Sequence, residues 1–170
     1  FSRTGTGIAH CPCSNMRLAS GIAPLRTWID KGVKVGLGVD GSSSNDSGYL
    51  LNEARQAMLL QRVNLGANKF SPREALFTAT RGGAEVLNRN DIGQISVGKA
   101  ADFAIYDLNK IAMSGAWSDP LAALVLCTPA ETAYTICNGE VISQNGHLNN
   151  FDLNLSLEKH KVASKRLLDL

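Results

Sequence analysis

Two apolar runs, each followed by a helical pattern, constrain the fold of this chain most. The first run spans residues 7–10, and Pro24 then marks the first turn of a helix over residues 25–31. The second run, residues 33–39, is typical of a buried strand and precedes a long helical pattern over residues 49–63. This β-α-β-α order predicts an α/β fold, with a parallel sheet and helices packed outside it.

The glycines of this region predict close packing and one interruption. Gly36 and Gly38 lie inside the second strand, where a helix or a neighbouring backbone is expected to approach closely. A capping box over residues 71–74 begins another helix, which we expect Gly82 and Gly83 to break.

The pattern changes to strands after residue 91. Asn138-Gly139 predicts a hairpin between strands over residues 133–137 and 140–142. The tail, residues 156–170, has apolar residues at helical spacing. We therefore divide the chain into residues 1–91, residues 92–150 and a C-terminal helix over residues 151–170. Further strands or buried segments are expected over residues 94–97, 102–106 and 121–127.

Length and charge exclude several classes of protein. With 170 residues, the chain is too short for a complete (β/α)8 barrel, which needs about 250 residues. A net charge of +2 without a basic block gives no support for nucleic-acid binding.

No apolar stretch is long enough to span a membrane and no signal peptide is evident, so we expect a cytoplasmic protein. The 4 cysteines lack zinc-site spacing, and we expect free thiols.

Asp40 is the strongest candidate for a chemical role. It follows the second strand directly and precedes a hydroxyl-rich loop. In parallel α/β folds, functional sites gather at the carboxyl ends of the strands. A carboxylate at that position can ligate a metal and carry a proton from a bound water. The alternative is structural: Asp40 caps the next helix or fixes its own loop.

His10 ends the first strand, so we expect it at the same edge of the sheet as Asp40. A hydrogen-bonded structural histidine is the alternative. Asn15, in the polar loop expected over residues 13–21, could meet a polar ligand at this rim.

The loop over residues 42–46 is expected mainly to cap the following helix. No Gly-x-Ser-x-Gly motif is present, so a serine nucleophile is unsupported.

These stretches resemble a known family. The runs AHCPCSNMRLASGIAP, from Ala9 to Pro24, and GLGVDGSSSND, from Gly36 to Asp46, resemble the chlorohydrolase and purine-deaminase branch of the amidohydrolase superfamily. GQISVGKAADF, from Gly93 to Phe103, is similar to the return of that family's chain into its small β-sandwich. Within the family, the Cys-Pro-Cys-Ser-Asn-Met form is most similar to the 8-oxoguanine deaminases.

The resemblance implies a fold and a reaction. The family fold is a metal-bearing (β/α)8 barrel with a β-sandwich, and by motif His10 would end the seventh barrel strand and Asp40 the eighth. Residues 92–150 would form the C-terminal half of the sandwich. One divalent ion, Zn²⁺ or alternatively Fe²⁺, would activate the water that attacks a heteroaromatic ring, best matched by 8-oxoguanine or guanine. Asp40 would be metal ligand and proton shuttle, and His10 and Asn15 would lie near the ring.

The same resemblance implies that much of the site lies outside this chain. The family's paired histidines, its later metal histidines and its glutamate belong before Phe1, and the first methionine is Met16. We therefore expect an N-terminal portion of the same enzyme to be the partner, and residues 1–170 alone to be inactive. A homo-oligomer is expected. A triazine chlorohydrolase and a non-catalytic truncated remnant are the alternatives.

Overall fold

The computed structural model describes residues 1–127 and 129–168, which form two compact units. The first unit contains residues 1–100 and 108–130, and the second contains residues 101–107 and 131–170. The division at residues 91 and 150 stays a prediction. In the part of the chain that the structure describes, no helix has both the length and the apolar character needed to cross a membrane.

The first unit contains the predicted parallel pair of strands. Strand β1 (Ile8–His10) pairs in parallel with β2 (Val35–Leu37), and His10 lies opposite Leu37. The two strands therefore end at one edge of the sheet. The helices of this unit are α1 (Pro12–Arg17), α2 (Leu25–Asp30), α3 (Leu50–Leu65), α4 (Pro72–Phe77), α5 (Gly83–Val86) and α6 (Pro120–Leu126).

The core of the first unit lies between β2 and the helices. Helix α3 buries small and flexible side chains on one face, which lets α2, α4 and α6 pack closely around it. The buried apolar residues of this core are Leu25, Val35, Ala54, Ala57, Met58, Phe70, Ala75 and Val125.

Glycines bring β2 and a helical segment into backbone contact. A Cβ on Gly36 would lie 2.7 Å from Gly83 Cα, and one on Gly82 would lie 2.2 Å from the Val35 carbonyl oxygen. The close approach predicted at Gly36 is therefore confirmed. The predicted break at Gly82 and Gly83 is wrong: both have helical backbone angles, and a π-helical turn (Thr78–Gly82) leads directly into α5.

Two further expectations of strands are corrected. Residues 94–97 are irregular instead of a strand: residue 94 lies in a bend, residues 95 and 96 have no regular structure, and residue 97 begins a turn. The apolar run predicted as a strand or buried segment over residues 121–127 folds as α6, in which Val125 is buried. Its start is explained by Asp119, whose side chain accepts a hydrogen bond from the Ala122 N–H at 3.0 Å, and by Pro120 at the first helical position.

The second unit is a four-stranded antiparallel sheet followed by a helix. Its strands are β3 (Phe103–Tyr106), β4 (Thr132–Cys137), β5 (Glu140–Gln144) and β6 (His147–Leu148), and they neighbour one another in that order. Asn138 and Gly139 have φ of 49° and 83°, as a two-residue hairpin turn requires. The predicted hairpin is confirmed. Helix α7 (Leu153–Leu168) completes the unit.

Candidate functional site

Asp40 lies exposed beyond the end of β2, in a conformation that needs support. Its φ is 64°, in the left-handed region that few residues other than glycine adopt. Its Oδ1 accepts a hydrogen bond from the Gly41 N–H at 2.8 Å, and its Oδ2 accepts one from the Ser14 hydroxyl at 2.6 Å. The carboxylate is thus held from its own loop and from helix α1, which follows β1.

These hydrogen bonds favour the charged form of Asp40. The Ser14 hydroxyl lowers the pKa of the Asp40 carboxyl most, and the Gly41 N–H and Ser44 hydroxyl lower it further. Asp40 is therefore an anion at neutral pH. Because each carboxylate oxygen can accept more than one hydrogen bond or ligand contact, both keep capacity for a cation or a proton.

Helix α1 supplies the Ser14 hydroxyl. Residues 13–21 were expected to form a polar loop, but Pro12–Arg17 is helical, with Pro12 at the first helical position. Ser14 is 2% exposed. The helix therefore places Ser14 where its hydroxyl reaches Asp40.

His10 lies beneath the rim instead of on its surface. Its side chain is buried, and its ring meets the Trp28 ring edge-on with 6.4 Å between centroids. Burial lowers the pKa of the His10 imidazole, and the nearby Glu53 charge opposes this shift. A neutral imidazole at neutral pH follows, and the rim contact proposed for His10 stays a prediction.

Asn15 is half-buried on α1 and takes part in its backbone hydrogen bonds. The Asn15 N–H donates to the Cys11 carbonyl oxygen at 3.0 Å, and its own carbonyl oxygen accepts from the Ser20 N–H at 2.9 Å. Further along, the exposed Arg17 forms an ion pair with Asp46 from the loop after β2. The contact of Asn15 with a ring substrate stays a prediction.

The loop after β2 does not cap α3 as expected. Tyr49 is the N-cap residue and makes no side-chain capping bond. Instead the Asn45 side-chain amide donates to the Val39 carbonyl oxygen at 2.8 Å, and its oxygen accepts from the Ser47 N–H at 3.1 Å. The polar side chains of this loop therefore stabilise the loop itself.

Glu53 is the member of the site region that the sequence analysis missed. It lies on α3 with 0% exposure. Its Oε1 accepts a hydrogen bond from the Asn45 side-chain amide at 2.7 Å, and its Oε2 accepts one from the Cys13 N–H at 3.0 Å. Its spacing of four and eight residues from the buried Ala57 and Gln61 places it on the buried face, and this signal could have identified it.

The described residues do not form a complete metal site by themselves. No group of three or more His, Cys, Asp or Glu side chains that could hold a metal ion occurs among them. A catalytic zinc ordinarily has three protein ligands and a water. Asp40, an exposed anion with free acceptor capacity, fits the part of one such ligand.

Comparison with known proteins identifies the family. A sequence profile described as "Amidohydrolase family" matches residues 1–142. The chain belongs to the amidohydrolase family. It is 44% identical over 168 residues to the 8-oxoguanine deaminase of Pseudomonas aeruginosa, covering 99% of this chain and 37% of that protein. It is also 40% identical over 175 residues to the 5'-deoxyadenosine deaminase of Methanobrevibacter smithii, covering 100% of this chain and 39% of that protein.

Solved structures resemble this amidohydrolase chain closely. Atrazine chlorohydrolase from Arthrobacter aurescens TC1, complexed with zinc, superposes with a TM-score of 0.89 and 35% identity over 95% of this chain and 36% of its own. An adenosine deaminase from Xanthomonas campestris with bound zinc superposes with a TM-score of 0.93 and 28% identity. That match covers 99% of this chain and 39% of the adenosine deaminase chain. These neighbours are (β/α)8-barrel enzymes, so the α/β fold corresponds to a portion of such a barrel enzyme. The chain thus spans little more than a third of the length of its relatives.

Proposed function

We propose that this amidohydrolase chain is the C-terminal part of a metal-dependent aminohydrolase that deaminates a purine-type ring, with 8-oxoguanine or guanine as substrate. The observation that carries the proposal is the Asp40 carboxylate, exposed at the strand-end rim and held anionic by Ser14 and Gly41. The 44% identity to an 8-oxoguanine deaminase supports the choice of ring.

Asp40 would hold the divalent ion together with ligands from outside residues 1–170. When bound, such an ion supplies Lewis-acid activation of water near neutral pH. Zinc is the proposed ion, because it is present in the solved neighbours, and Fe²⁺ is the alternative. The enzyme is proposed to be a cytoplasmic homo-oligomer, and residues 1–170 alone are proposed to be inactive.

The proposed reaction balances with Asp40 as the proton carrier. The water oxygen forms a bond to the ring carbon that bears the amino group, and an Asp40 carboxylate oxygen accepts a proton from that water. The same oxygen returns the proton to the departing nitrogen, the C–N bond breaks and ammonia leaves. The second proton of the water moves from the new hydroxyl to the adjacent ring nitrogen, which leaves a ring carbonyl as the product. The Asn15 amide is proposed to contact the ring from the rim, and the neutral His10 is proposed to lie near the ring from beneath the rim.

The test uses the enzyme polypeptide that contains these residues. Ammonia release from 8-oxoguanine and guanine is measured for the wild type and for Asp40→Asn, which keeps the size of the side chain but cannot carry the proton. We expect a loss of kcat on the order of 10²- to 10⁴-fold, the usual contribution of a general acid–base residue. Metal content is measured on the same samples.

Asp46→Asn is the matched control, since Asp46 is an exposed carboxylate on the same loop and pairs with Arg17. It should keep nearly full activity. Equal losses in Asp40→Asn and Asp46→Asn would contradict the role of Asp40. Chloride release from a chlorotriazine without ammonia release from either purine would replace the proposal with the chlorohydrolase alternative, and inactivity on all substrates would favour the non-catalytic remnant.

A further inference from the structure

Glu53 is buried at a position where packing alone favours an apolar side chain. It shares the buried face of α3 with Ala54, Ala57 and Met58, each 0% exposed like Glu53 itself. Removing a carboxylate from water is costly unless hydrogen bonds compensate. Both oxygens of Glu53 are compensated by neutral N–H donors, one from helix α1 after β1 and one from the loop after β2. The carboxylate therefore joins two segments that are 40 and 8 residues away from it in sequence.

One connection runs from Glu53 to Asp40 through α1. Glu53 Oε2 accepts the Cys13 N–H at 3.0 Å, which fixes the first turn of α1. The next residue, Ser14, donates its hydroxyl to Asp40 Oδ2 at 2.6 Å. A shift of Cys13 therefore shifts the donor that holds the Asp40 carboxylate.

A second connection runs through Asn45. The two hydrogens of the Asn45 amide are divided between Glu53 Oε1 at 2.7 Å and the Val39 carbonyl oxygen at 2.8 Å. Val39 is bonded directly to Asp40, whose left-handed backbone needs an external restraint. Both connections therefore end at the same carboxylate, one at its side chain and one at its backbone.

We propose that Glu53 is a positioning residue, which holds the Asp40 carboxylate in its working orientation through Cys13 and Asn45. This inference rests on the proposed function, in which Asp40 ligates the ion and carries the proton. Glu53 itself is buried on α3 and acts through its two partners, without contact with the substrate.

Gln61 provides a matched comparison on the same helix. It is also 0% exposed and also joins two partners: its Oε1 accepts the Arg26 N–H at 3.1 Å, and its Nε2 donates to the Ala23 carbonyl oxygen at 2.9 Å. These contacts hold the start of α2 and lead to no described contact with Asp40. A purely structural role for Glu53 predicts that the two residues respond alike to substitution.

The experiment compares Glu53→Gln with Gln61→Leu in the full enzyme polypeptide. Glutamine matches the shape of Glu53, but its NH₂ group would face one of two N–H donors, so one connection is lost. We expect kcat to fall on the order of 10- to 100-fold with KM within about twofold, as a misplaced reacting group predicts. Zinc retained after dialysis should fall as well.

Amide hydrogen exchange supplies a readout that does not depend on turnover. In Glu53→Gln, exchange should accelerate in peptides covering residues 11–17 and 40–47 and stay unchanged over residues 23–30. Gln61→Leu should show the reverse pattern and keep its kcat and zinc. If Glu53→Gln does not fold, Asn45→Ala removes the second connection alone from a half-buried loop position, and it should lower kcat and accelerate exchange over residues 40–47.

The outcomes separate the inference from the proposed function. A wild type without purine deamination contradicts the proposed function, while exchange and zinc content still decide whether Glu53 holds Asp40. An active wild type whose Glu53→Gln variant keeps kcat, zinc content and loop protection overturns the inference alone. Equal effects of Glu53→Gln and Gln61→Leu on all readouts would reduce Glu53 to a structural residue.

Discussion

Burial and the Glu53 carboxylate act together on the Cys13 thiol. Burial raises its pKa most, and the hydrogen bond and charge of Glu53 bring it to about 12. Burial also raises the pKa of the Cys11 thiol, with Asp40 and Glu53 adding to the shift. Since the thiolate is the nucleophile, neither cysteine of the Cys-Pro-Cys run is activated, and the Asp40 carboxylate remains the group proposed to react at this rim.

The raised pKa predicts that Cys13 resists alkylation in the folded protein. With a pKa of about 12, the Cys13 thiol stays protonated at neutral pH. Its reactivity rises with pH, because the thiolate fraction grows. At pH 8 we expect iodoacetamide to modify Cys13 at least ~10-fold more slowly than the exposed Cys137. Peptide mass spectrometry over a time course measures both rates, and unfolding in guanidinium is the control that should make them similar. Fast modification of Cys13 in the folded protein would show that Glu53 and burial do not protect it.

The sequence was sufficient to find Asp40 but not Glu53. Asp40 ends a recognisable buried strand, and parallel strands bring their carboxyl ends to one edge, so local pattern and a topological rule locate it. The role of Glu53 depends on which polar atoms of helix α1 and of the loop after β2 reach the buried face of α3. That information is tertiary, and helical spacing can indicate its burial but not its partners.

At the scale of elements, the contact between β2 and the α4–α5 segment depends on the absence of side chains. Gly36 and Gly83 meet backbone to backbone, and Gly82 lies against the Val35 carbonyl. Glycine normally destabilises a helix by about 1 kcal/mol relative to alanine. Here the close approach offsets that cost, which explains why the helical path continues through two adjacent glycines.

Replacing Gly36 should therefore destabilise the protein. A Cβ at this position would lie 2.7 Å from Gly83 Cα, a backbone atom that cannot move without displacing the helix. We expect Gly36→Ala to lower the free energy of unfolding by about 1–3 kcal/mol, as overpacking of a core does. Guanidinium unfolding measures the change. Gly48→Ala is the control, because its Cβ would meet nothing within 4 Å and should leave stability nearly unchanged. A neutral Gly36→Ala would mean that the strand and helix are less closely packed.

Elements specified by local chemistry were predictable, and ambiguous apolar runs were not. The Asn138-Gly139 turn and the capping box of α4 follow from the backbone preferences of a few residues, and both are present. The run that became α6 fits a strand or a buried helix equally well by hydrophobicity. Its Asp119-Pro120 start favours a helix, and that signal should outweigh the apolar run.

At the scale of the whole molecule, the two-stranded sheet of the first unit is a small part of a closed barrel. The chain covers 36% and 39% of two barrel enzymes whose structures it matches. Within the described residues, β1 and β2 pair with each other, and each therefore presents a second edge without a strand. Parallel strands in barrels are protected because closure removes such edges.

Residues 1–170 expressed alone should consequently self-associate. Unpaired strand edges are templates for pairing with another chain, and incomplete folds of this kind associate at ~µM concentrations and above. Sedimentation velocity over a concentration series should show a weight-average mass that rises above the 18.1 kDa of one chain. Ala9→Lys, which puts a charge at the exposed position of β1, should reduce the association, because charged residues protect sheet edges. A monomer at every concentration, with cooperative unfolding, would instead mean that β1 and β2 form a self-sufficient sheet rather than part of a barrel.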